Sequence, residues 1–349
     1  MTDSPVASID EGAGPRLRVR RWTAVSGGFT GGVGALAVAL VFVPFLLDEN
    51  TTQKLTTLLI LVILATTWNA LAGYGGLVSV GQQAFIGIGA YGTVFLAGRG
   101  VAPYLAMVLA GLIAGAIALP ISYVALRLRA AQFAIGMWVI AEVFAIVATL
   151  DTALGGGTGT SLIQLNQYGP SDQQAYTYWL ALGSAVVVLV VLFLLLRSPL
   201  GVSLQAIRDD EEAAASLGVR VTSGKRILFV IAAAGCGAAG AATAANTHFI
   251  EPTSIFSVQW TAYMIFMVLV GGLGTFEGPV IGAVLLFAIQ TVFSDGGAWY
   301  LVGLGATAGL FALVLPRGIW GTVVDRLGVR LIPVGYEVRG SGDAREVST

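Results

Sequence analysis

The sequence predicts an all-α fold, a polytopic bundle of transmembrane helices with Gly-rich interruptions and both termini in the cytoplasm. Three observations carry this. The 349 residues are 56% hydrophobic and only 11% charged, with a mean hydropathy of +0.85, whereas soluble domains carry about 25% charged residues. Several stretches of roughly 20 residues hold no charge, long enough to cross a bilayer core. The Lys and Arg residues fall almost entirely on one side of those stretches, as membrane topology distributes them.

Residues 1–15 are rich in small and acidic residues and are expected to be disordered, and 1–22 read as a cytoplasmic tail. No cleavable signal peptide is expected, because the first apolar run is too long and no clear cleavage site follows it. Ten spans are expected, at 24–47, 54–73, 78–98, 103–126, 132–152, 176–196, 227–247, 258–275, 279–295 and 298–316. They make 23–316 a membrane domain, with a cytoplasmic loop at 198–226 and a cytoplasmic tail at 317–349. With the N-terminus inside, Arg16, Arg18, Arg20 and Arg21 lie on the cytoplasmic side. Arg127, Arg129, Arg197, Arg208, Arg220, Lys225, Arg226, Arg317, Arg326, Arg330, Arg339 and Arg345 join them there, and only Lys54 and Arg99 fall outside. Trp22 and Trp320 are expected at the inner interface, and Trp179, Trp299 and Tyr300 at the outer one, as an aromatic belt.

Composition excludes several functions. A net charge of −1 gives no case for nucleic-acid binding. The single Cys, Cys236, sits in an Ala/Gly-rich apolar run and reads as a small packing residue. It leaves no disulfide within the chain and no Cys metal site. His248 is the only histidine, so a His-based metal site or dyad is also absent. No nucleophile–base constellation is visible, and no catalytic site is expected. The Gly155-Gly156-Gly157-Thr158-Gly159 run has no following Lys-Ser or Lys-Thr. Gly224-Lys225 is followed by Arg226, so no phosphate-binding Walker loop exists. No cofactor is expected on this chain, and if ATP drives the protein, another subunit binds it.

The most informative stretch is the loop Ala206-Ile207-Arg208-Asp209-Asp210-Glu211-Glu212-Ala213-Ala214-Ala215-Ser216-Leu217-Gly218. It reads as a helix whose first turns hold Asp209, Asp210, Glu211 and Glu212, where the helix dipole favours negative charge. Gly218 supplies a residue able to close it in the left-handed conformation. A loop that only joined two spans would not need a capped, Ala-faced helix, whereas a small-residue face can lie close against another protein.

Two Gly-rich apolar stretches also stand out. One runs Leu71-Ala72-Gly73-Tyr74-Gly75-Gly76 and on to Gly81, and the other Val270-Gly271-Gly272-Leu273-Gly274-Thr275-Phe276-Glu277-Gly278. Neither suits a smooth helix. Both can break a helix so that backbone groups line a cavity, and paired broken segments point to a transport pathway. Gly274-x-x-x-Gly278-x-x-x-Gly282 is equally a close-packing face, and both roles can hold together.

The spacing Glu212-Ala213-Ala214-x-x-x-Gly218 resembles the EAA loop of ABC importer permeases. That resemblance implies a coupling helix, formed by Asp209, Asp210, Glu211, Glu212, Ala213, Ala214 and Gly218, that docks on an ATPase subunit. The usual downstream Ile-x-Leu-Pro is absent, with Val230-Ile231 in the place of Leu-Pro, which argues against typical sugar and metal importers. Over about 60–320 the chain is similar to the LivM-type permeases of branched-chain amino acid ABC importers. The matching pieces come in that family's order: the 73–91 segment, Phe133-Ala134-Ile135 with Ala141-Glu142, the 155–159 loop, Ser198-Pro199-Leu200-Gly201, the 206–218 loop, and Gly271-Gly272-Leu273-Gly274-Thr275 with Gly278-Pro279-Val280-Ile281-Gly282-Ala283. The resemblance implies a multi-pass permease of the bacterial inner membrane. It also implies a second homologous permease subunit, two cytoplasmic ATPase subunits that bind ATP, and an extracytoplasmic solute-binding protein. The same family takes up urea and short amides. Gln82-Gln83 replaces a more usual pair after Gly81, so the solute stays open between these classes. An ion-coupled carrier or a small-solute channel would also use broken helices, but neither explains the EAA-like loop.

Candidate pathway residues are Asn69, Gly75, Gly76, Gln82, Gln83, Glu142, Gly271, Gly272 and Gly274. Glu142 is expected mid-span, where a carboxylate faces the bundle interior or water. It can hold a solute's ammonium group or act as a hydrogen-bonded structural acid. Asn69, Gln82 and Gln83 can offer amides to a solute or tie helices together. Glu277 reads as interfacial. Asn246, His248 and Glu251 cluster at the outer end of a span, where His248 is expected to be exposed.

Overall fold

The computed structural model describes residues 18–20, 24–293, 298–315, 317–327 and 337–339. The helices follow in order: α1 Ala24–Val41, α2 Val43–Leu46, α3 Glu49–Asn69, α4 Gln83–Gly98, α5 Pro103–Ala125, α6 Ala131–Leu150, α7 Pro170–Arg197, α8 Pro199–Asp209, α9 Glu211–Ser216, α10 Val221–Thr247, α11 Pro252–Ile255, α12 Gln259–Gly271, α13 Gly278–Phe293, α14 Ala298–Val314 and α15 Gly318–Leu327. Pro103, Pro170, Pro199 and Pro252 each open a helix, where proline's missing N–H costs nothing and its fixed φ is already helical. Asp48 caps α3 by accepting from the Thr51 N–H at 3.1 Å.

Six helical stretches are long and apolar enough to cross a membrane: Glu49–Tyr74, Pro103–Ala125, Ala131–Leu150, Pro170–Arg197, Val221–Thr247 and Pro252–Gly271. Four shorter apolar helices lie at Gly31–Val41, Gln83–Gly98, Gly278–Phe293 and Val302–Phe311. Each of the ten expected segments overlaps one of these ten, but length supports full crossing for six. The 16 residues of α4 span about 24 Å at 1.5 Å per residue, short of a core of about 30 Å.

The core is built around α10 and α3, whose apolar windows are 72% and 78% buried. Small residues let α10 lie almost backbone to backbone on its neighbours. A Cβ at Gly89 of α4 would collide with the Gly237 carbonyl, and one at Gly240 with the Ile86 carbonyl. Gly111 and Gly115 of α5 face Ala238 and Ala234 at 3.2 and 3.0 Å from a Cβ position. Cys236 is buried in this seam beside the Thr67 hydroxyl, Sγ to Oγ1 3.5 Å. At the other extreme, α6 is only 22% buried. Phe133, Met137, Ala141 and Ala148 are its buried residues.

Two small strand pairs complete the chain. β2 Thr160–Ser161 pairs antiparallel with β3 Phe249–Ile250, tying the Gly-rich 153–175 loop to the end of α10. β1 Arg18–Arg20 pairs antiparallel with β4 Glu337–Arg339, so the two tails meet on one side. The segment from 317, expected as a cytoplasmic tail, begins with α15, which packs on α12 and α13. Trp22, Arg16, Arg21, Arg330 and Arg345 lie outside the described residues, as do the side chains of Trp299 and Tyr300.

Candidate functional site

The first Gly-rich stretch does break its helix. After α3 the chain widens into a π-helical turn, Ala70–Tyr74, and then leaves helical geometry until Gln83. Gly76 takes a φ of +65°, which glycine adopts without Cβ strain. The freed backbone groups find partners inside the protein. The Leu77 N–H reaches the Leu71 carbonyl at 2.9 Å, and the Trp68 indole donates to the Ser79 carbonyl at 2.9 Å. Irregular backbone at membrane depth is tolerated under that condition.

The second stretch ends α12. Gly272 and Gly274 have φ of +135° and +75°, and the turn is pinned by the Thr275 hydroxyl, which donates to the Gly272 carbonyl at 2.7 Å and accepts from the Gly278 N–H at 3.1 Å. A Cβ at Gly271 would collide with the Gly278 carbonyl, and one at Gly282 with the Met267 carbonyl. Gly278 and Gly282 of the expected packing face do lie in close contact, joined by Gly271, and bring α12 onto α13, whereas Gly274 lies in the turn before α13.

The two breaks touch. Asn69, 3% exposed, spends both ends of its amide on the second one: Nδ2 donates to the Thr275 carbonyl at 2.8 Å, and Oδ1 accepts from the Gly274 N–H at 2.9 Å. A Cβ added to Gly73 would lie 2.6 Å from the Gly274 nitrogen. Two segments about 200 residues apart in sequence thus form one junction.

A third element joins them from the side that carries most of the basic residues. Arg208 donates from Nη1 to the Gly73 carbonyl at 2.7 Å. Its Nε and Nη2 hold Asp209 Oδ1 at 2.9 and 2.8 Å, and Gly76 packs on its Cα. Arg208 lies in the last turn of α8, whose buried residues Gly201, Leu204 and Ile207 seat it on the bundle. The expected single helix through 206–218 is instead two. Asp210 leaves helical geometry and its side chain accepts from the Glu212 and Ala213 N–H groups, both at 3.0 Å, capping α9. Asp209 therefore belongs to the last turn of α8 rather than the first turn of the loop helix, because an N-cap must leave helical φ/ψ and Asp210 is the residue that does. Gly218, at φ +84°, closes α9 as expected. Its N–H reaches the Ala215 carbonyl and the Val219 N–H the Ala214 carbonyl, at 3.0 and 3.1 Å, a Schellman arrangement. Ala214 is buried, and Glu211, Glu212, Ala213, Ala215 and Leu217 face out, with Leu217 84% exposed. Lys225 of α10 pairs with Glu211 at 2.6 Å.

Beside this junction a cavity of about 980 Å3 opens on the basic side. Gly75 and Gly76 of the first break, Arg208, Arg127 and Arg129 from the α5–α6 turn, and Lys225 and Arg226 from α10 line it, with Glu211 and Glu212 at its edge. Arg226 is held by Nε to the Ser122 hydroxyl at 3.2 Å and lies 3.9 Å over the Tyr123 ring. Sequence reading placed these cations on one side but did not assemble them, and it counted Arg208 toward the charge bias without giving it a role at the breaks. The only available signal was an Arg abutting the acidic run.

Other candidates fall elsewhere. Gln82 and Gln83 are buried and spent on packing: Gln82 Nε2 donates to the Ser79 hydroxyl at 3.1 Å, Gln83 Nε2 to the Val80 carbonyl at 3.0 Å, and Gln83 Oε1 accepts from Thr261 at 2.6 Å. Glu142 does not face the interior of this bundle. It is exposed on α6, because Ala141 takes the inward position on that turn. Asn246 donates to Thr57 at 3.1 Å, exposed His248 caps α10 with φ +59°, and Glu277 accepts from the Trp320 indole at 3.1 Å.

A profile of the family described as "Branched-chain amino acid transport system / permease component" matches residues 50–315. The chain belongs to this permease family. The matched region runs from α3 to the end of α14 and contains the junction, α8 and α9. Relatives agree. The high-affinity branched-chain amino acid transport system permease protein LivM of Salmonella typhimurium is 30% identical over 312 residues, covering 82% of this chain and 73% of the relative. LivM of Escherichia coli gives the same identity and coverage. A LivM permease protein of Methanocaldococcus jannaschii is 26% identical over 171 residues, 48% of this chain and 49% of that one. A solved structure of a metal-chelate type ABC transporter in an inward-facing conformation aligns at a TM-score of 0.43 and 14% identity, covering 86% of this chain and 99% of that one. That likeness is too distant to carry an argument. As a member of the permease family, the chain is a multi-pass inner-membrane transport subunit of the ABC importer type.

Proposed function

We propose that this chain is a membrane subunit of an importer that takes up branched-chain amino acids, driven by ATP bound and hydrolysed on separate cytoplasmic subunits. A second homologous permease subunit, two ATPase subunits and an extracytoplasmic solute-binding protein complete it. The observation that carries this reading is the Arg208–Gly73 contact at 2.7 Å. It ties α8, which leads directly into the capped, outward-facing α9, to the junction of the two broken helices, so a push on α9 passes through α8 to that junction. In this mechanism a receptor presents solute at the outer face, closure of the ATPases displaces α9 with α8, and the junction switches access from one side to the other. Exposed Leu217 at one end of α9 and Glu211 and Glu212 at the other offer an apolar and an acidic contact to the ATPase surface.

The family match and the LivM relatives support branched-chain amino acids over urea and short amides. The test is uptake of labelled leucine and labelled urea in cells expressing this chain with its genomic neighbours, with and without Glu212→Lys. Energy-dependent leucine uptake that the variant abolishes supports the reading. Urea uptake keeps the mechanism and changes the solute. Uptake that persists without the ATPase subunits overturns it in favour of a carrier or channel.

A further inference from the structure

The cavity beside the junction carries more positive charge than the residues around it neutralise. Five cations line it, Arg127, Arg129, Arg208, Lys225 and Arg226, against two carboxylates, Glu211 and Glu212. Asp209 holds Arg208 at 2.8 Å, and Glu211 holds Lys225 at 2.6 Å. Arg226 is held by the neutral Ser122 hydroxyl and the Tyr123 ring. The side chains of Arg127 and Arg129 are exposed and have no hydrogen bond or ion pair among the described residues. Three guanidinium groups are thus left against one carboxylate, Glu212 at the edge. A cleft lined by one sign of charge concentrates the opposite sign within it.

The cavity also stands at the depth of a lipid headgroup. α5 has 23 residues, Pro103–Ala125, about 35 Å at 1.5 Å per residue, so its ends reach past a hydrocarbon core of about 30 Å. Arg127 and Arg129 follow directly on its basic end. Tyr123 and Val124, just inside that end, are 55% and 64% exposed. The wall is mixed as well: Leu77, Val78, Leu126 and Phe133 line it together with the cations. A soluble anion has no use for such a wall, whereas an amphiphile uses both parts.

We infer that this cavity binds an anionic phospholipid from the leaflet on the basic side. Its phosphate sits among Arg127, Arg129 and Arg226, and its acyl chains leave over Tyr123 and Val124 into the bilayer. A protein partner fits less well. The exposed Glu211 and Glu212 of neighbouring α9 call for a basic partner face, and the arginines beside them would repel one. Arg208 lines the same cavity while it holds the Gly73 carbonyl, so the bound lipid lies against the junction of the two breaks. The site does not depend on which solute is carried.

The test uses the transporter assembled with its partner subunits in detergent. It is titrated with phosphatidylglycerol or phosphatidylcholine, with and without inorganic phosphate, and bound lipid is counted by native mass spectrometry. Tighter binding of phosphatidylglycerol is expected. Each basic residue near an anionic surface is worth about fivefold in affinity, so Arg127→Gln combined with Arg129→Gln is expected to weaken phosphatidylglycerol binding about twentyfold. Arg220→Gln removes an exposed arginine from the same side but outside the cavity lining, and is expected to change nothing. The two substituted side chains make no internal bond, and gel filtration of the variant complex checks that it stays folded. Equal binding of the two lipids, or a double variant as tight as the parent, overturns the site. Displacement of the lipid by millimolar phosphate assigns the arginines to a soluble anion, and loss of an ATPase subunit from the double variant assigns them to a protein contact; either result overturns the lipid.

Discussion

The Arg208 guanidinium donates to the Gly73 carbonyl at 2.7 Å, so the last turn of the short α8 holds the backbone of a broken apolar helix. The same guanidinium is braced by Asp209, and Gly73 abuts Gly274 of the second break.

Arg208→Ala is expected to cut solute uptake about tenfold or more, since one charged donor to a carbonyl is lost, while the ATPase subunits still assemble and hydrolyse ATP. Arg208→Lys is expected to behave almost as poorly. An ammonium is a point donor and does not reproduce a planar fork that holds a carbonyl and a carboxylate at once. Uptake and ATP hydrolysis measured on the same vesicles check this, and uptake near the parent level in Arg208→Ala would sink it.

Asn69→Ala leaves the Gly274 N–H and the Thr275 carbonyl without their side-chain partner. A buried group left unsatisfied costs about 1–3 kcal/mol. The thermal unfolding midpoint in detergent should fall measurably, and by more than for Asn246→Ala, whose amide makes one half-buried bond to Thr57. An unchanged midpoint would show that the junction does not contribute to stability.

The caps of α9 separate shape from surface. Asp210→Ala removes the acceptor of two N–H bonds and costs the local helix about 0.5–2 kcal/mol. Gly218→Val puts a β-branched side chain at φ +84°, a strain of about 1–3 kcal/mol. Both should raise amide exchange within 211–217 and lower uptake. Glu212→Lys, an exposed change expected to stay within about 0.5 kcal/mol in stability, should leave exchange alone and still abolish uptake. If Glu212→Lys transports normally, the docking role of α9 is wrong.

Gly240→Leu should prevent accumulation of folded protein, because a Cβ there already meets the Ile86 carbonyl. Gly224→Ala on the same helix is the control: its Cβ would find Leu204 and Ile207 side chains at 3.6 and 3.7 Å, an ordinary contact. Expression and gel-filtration profiles distinguish the two, and equal behaviour would contradict the seam as described.

Much of this was legible in the chain. Uncharged runs gave the helical segments in order, and Gly218 marked the end of α9, because both signals are local. The break at Asp210 was harder to see. Asp209 and Asp210 are the same residue type, and only the docking of Ile207 and Arg208 decides which one leaves the helix. Asn69 was readable as a polar residue beside a break, but its partner lies over 200 positions away, beyond any local pattern. The exposure of Glu142 was hidden for a related reason: Ala141 and Glu142 are adjacent, and only the packing of α6 on α4 chooses which of them turns inward.

The seams around α10 also limit how the molecule can move. With carbonyls of α4 and α10 sitting where side chains would otherwise be, those helices have no slack to slide or rotate against one another. Together with α3 and α5 they form an axle. A change of access then falls to what lies outside that axle: α8, α9 and the turn between α12 and α13, which meet it at the junction.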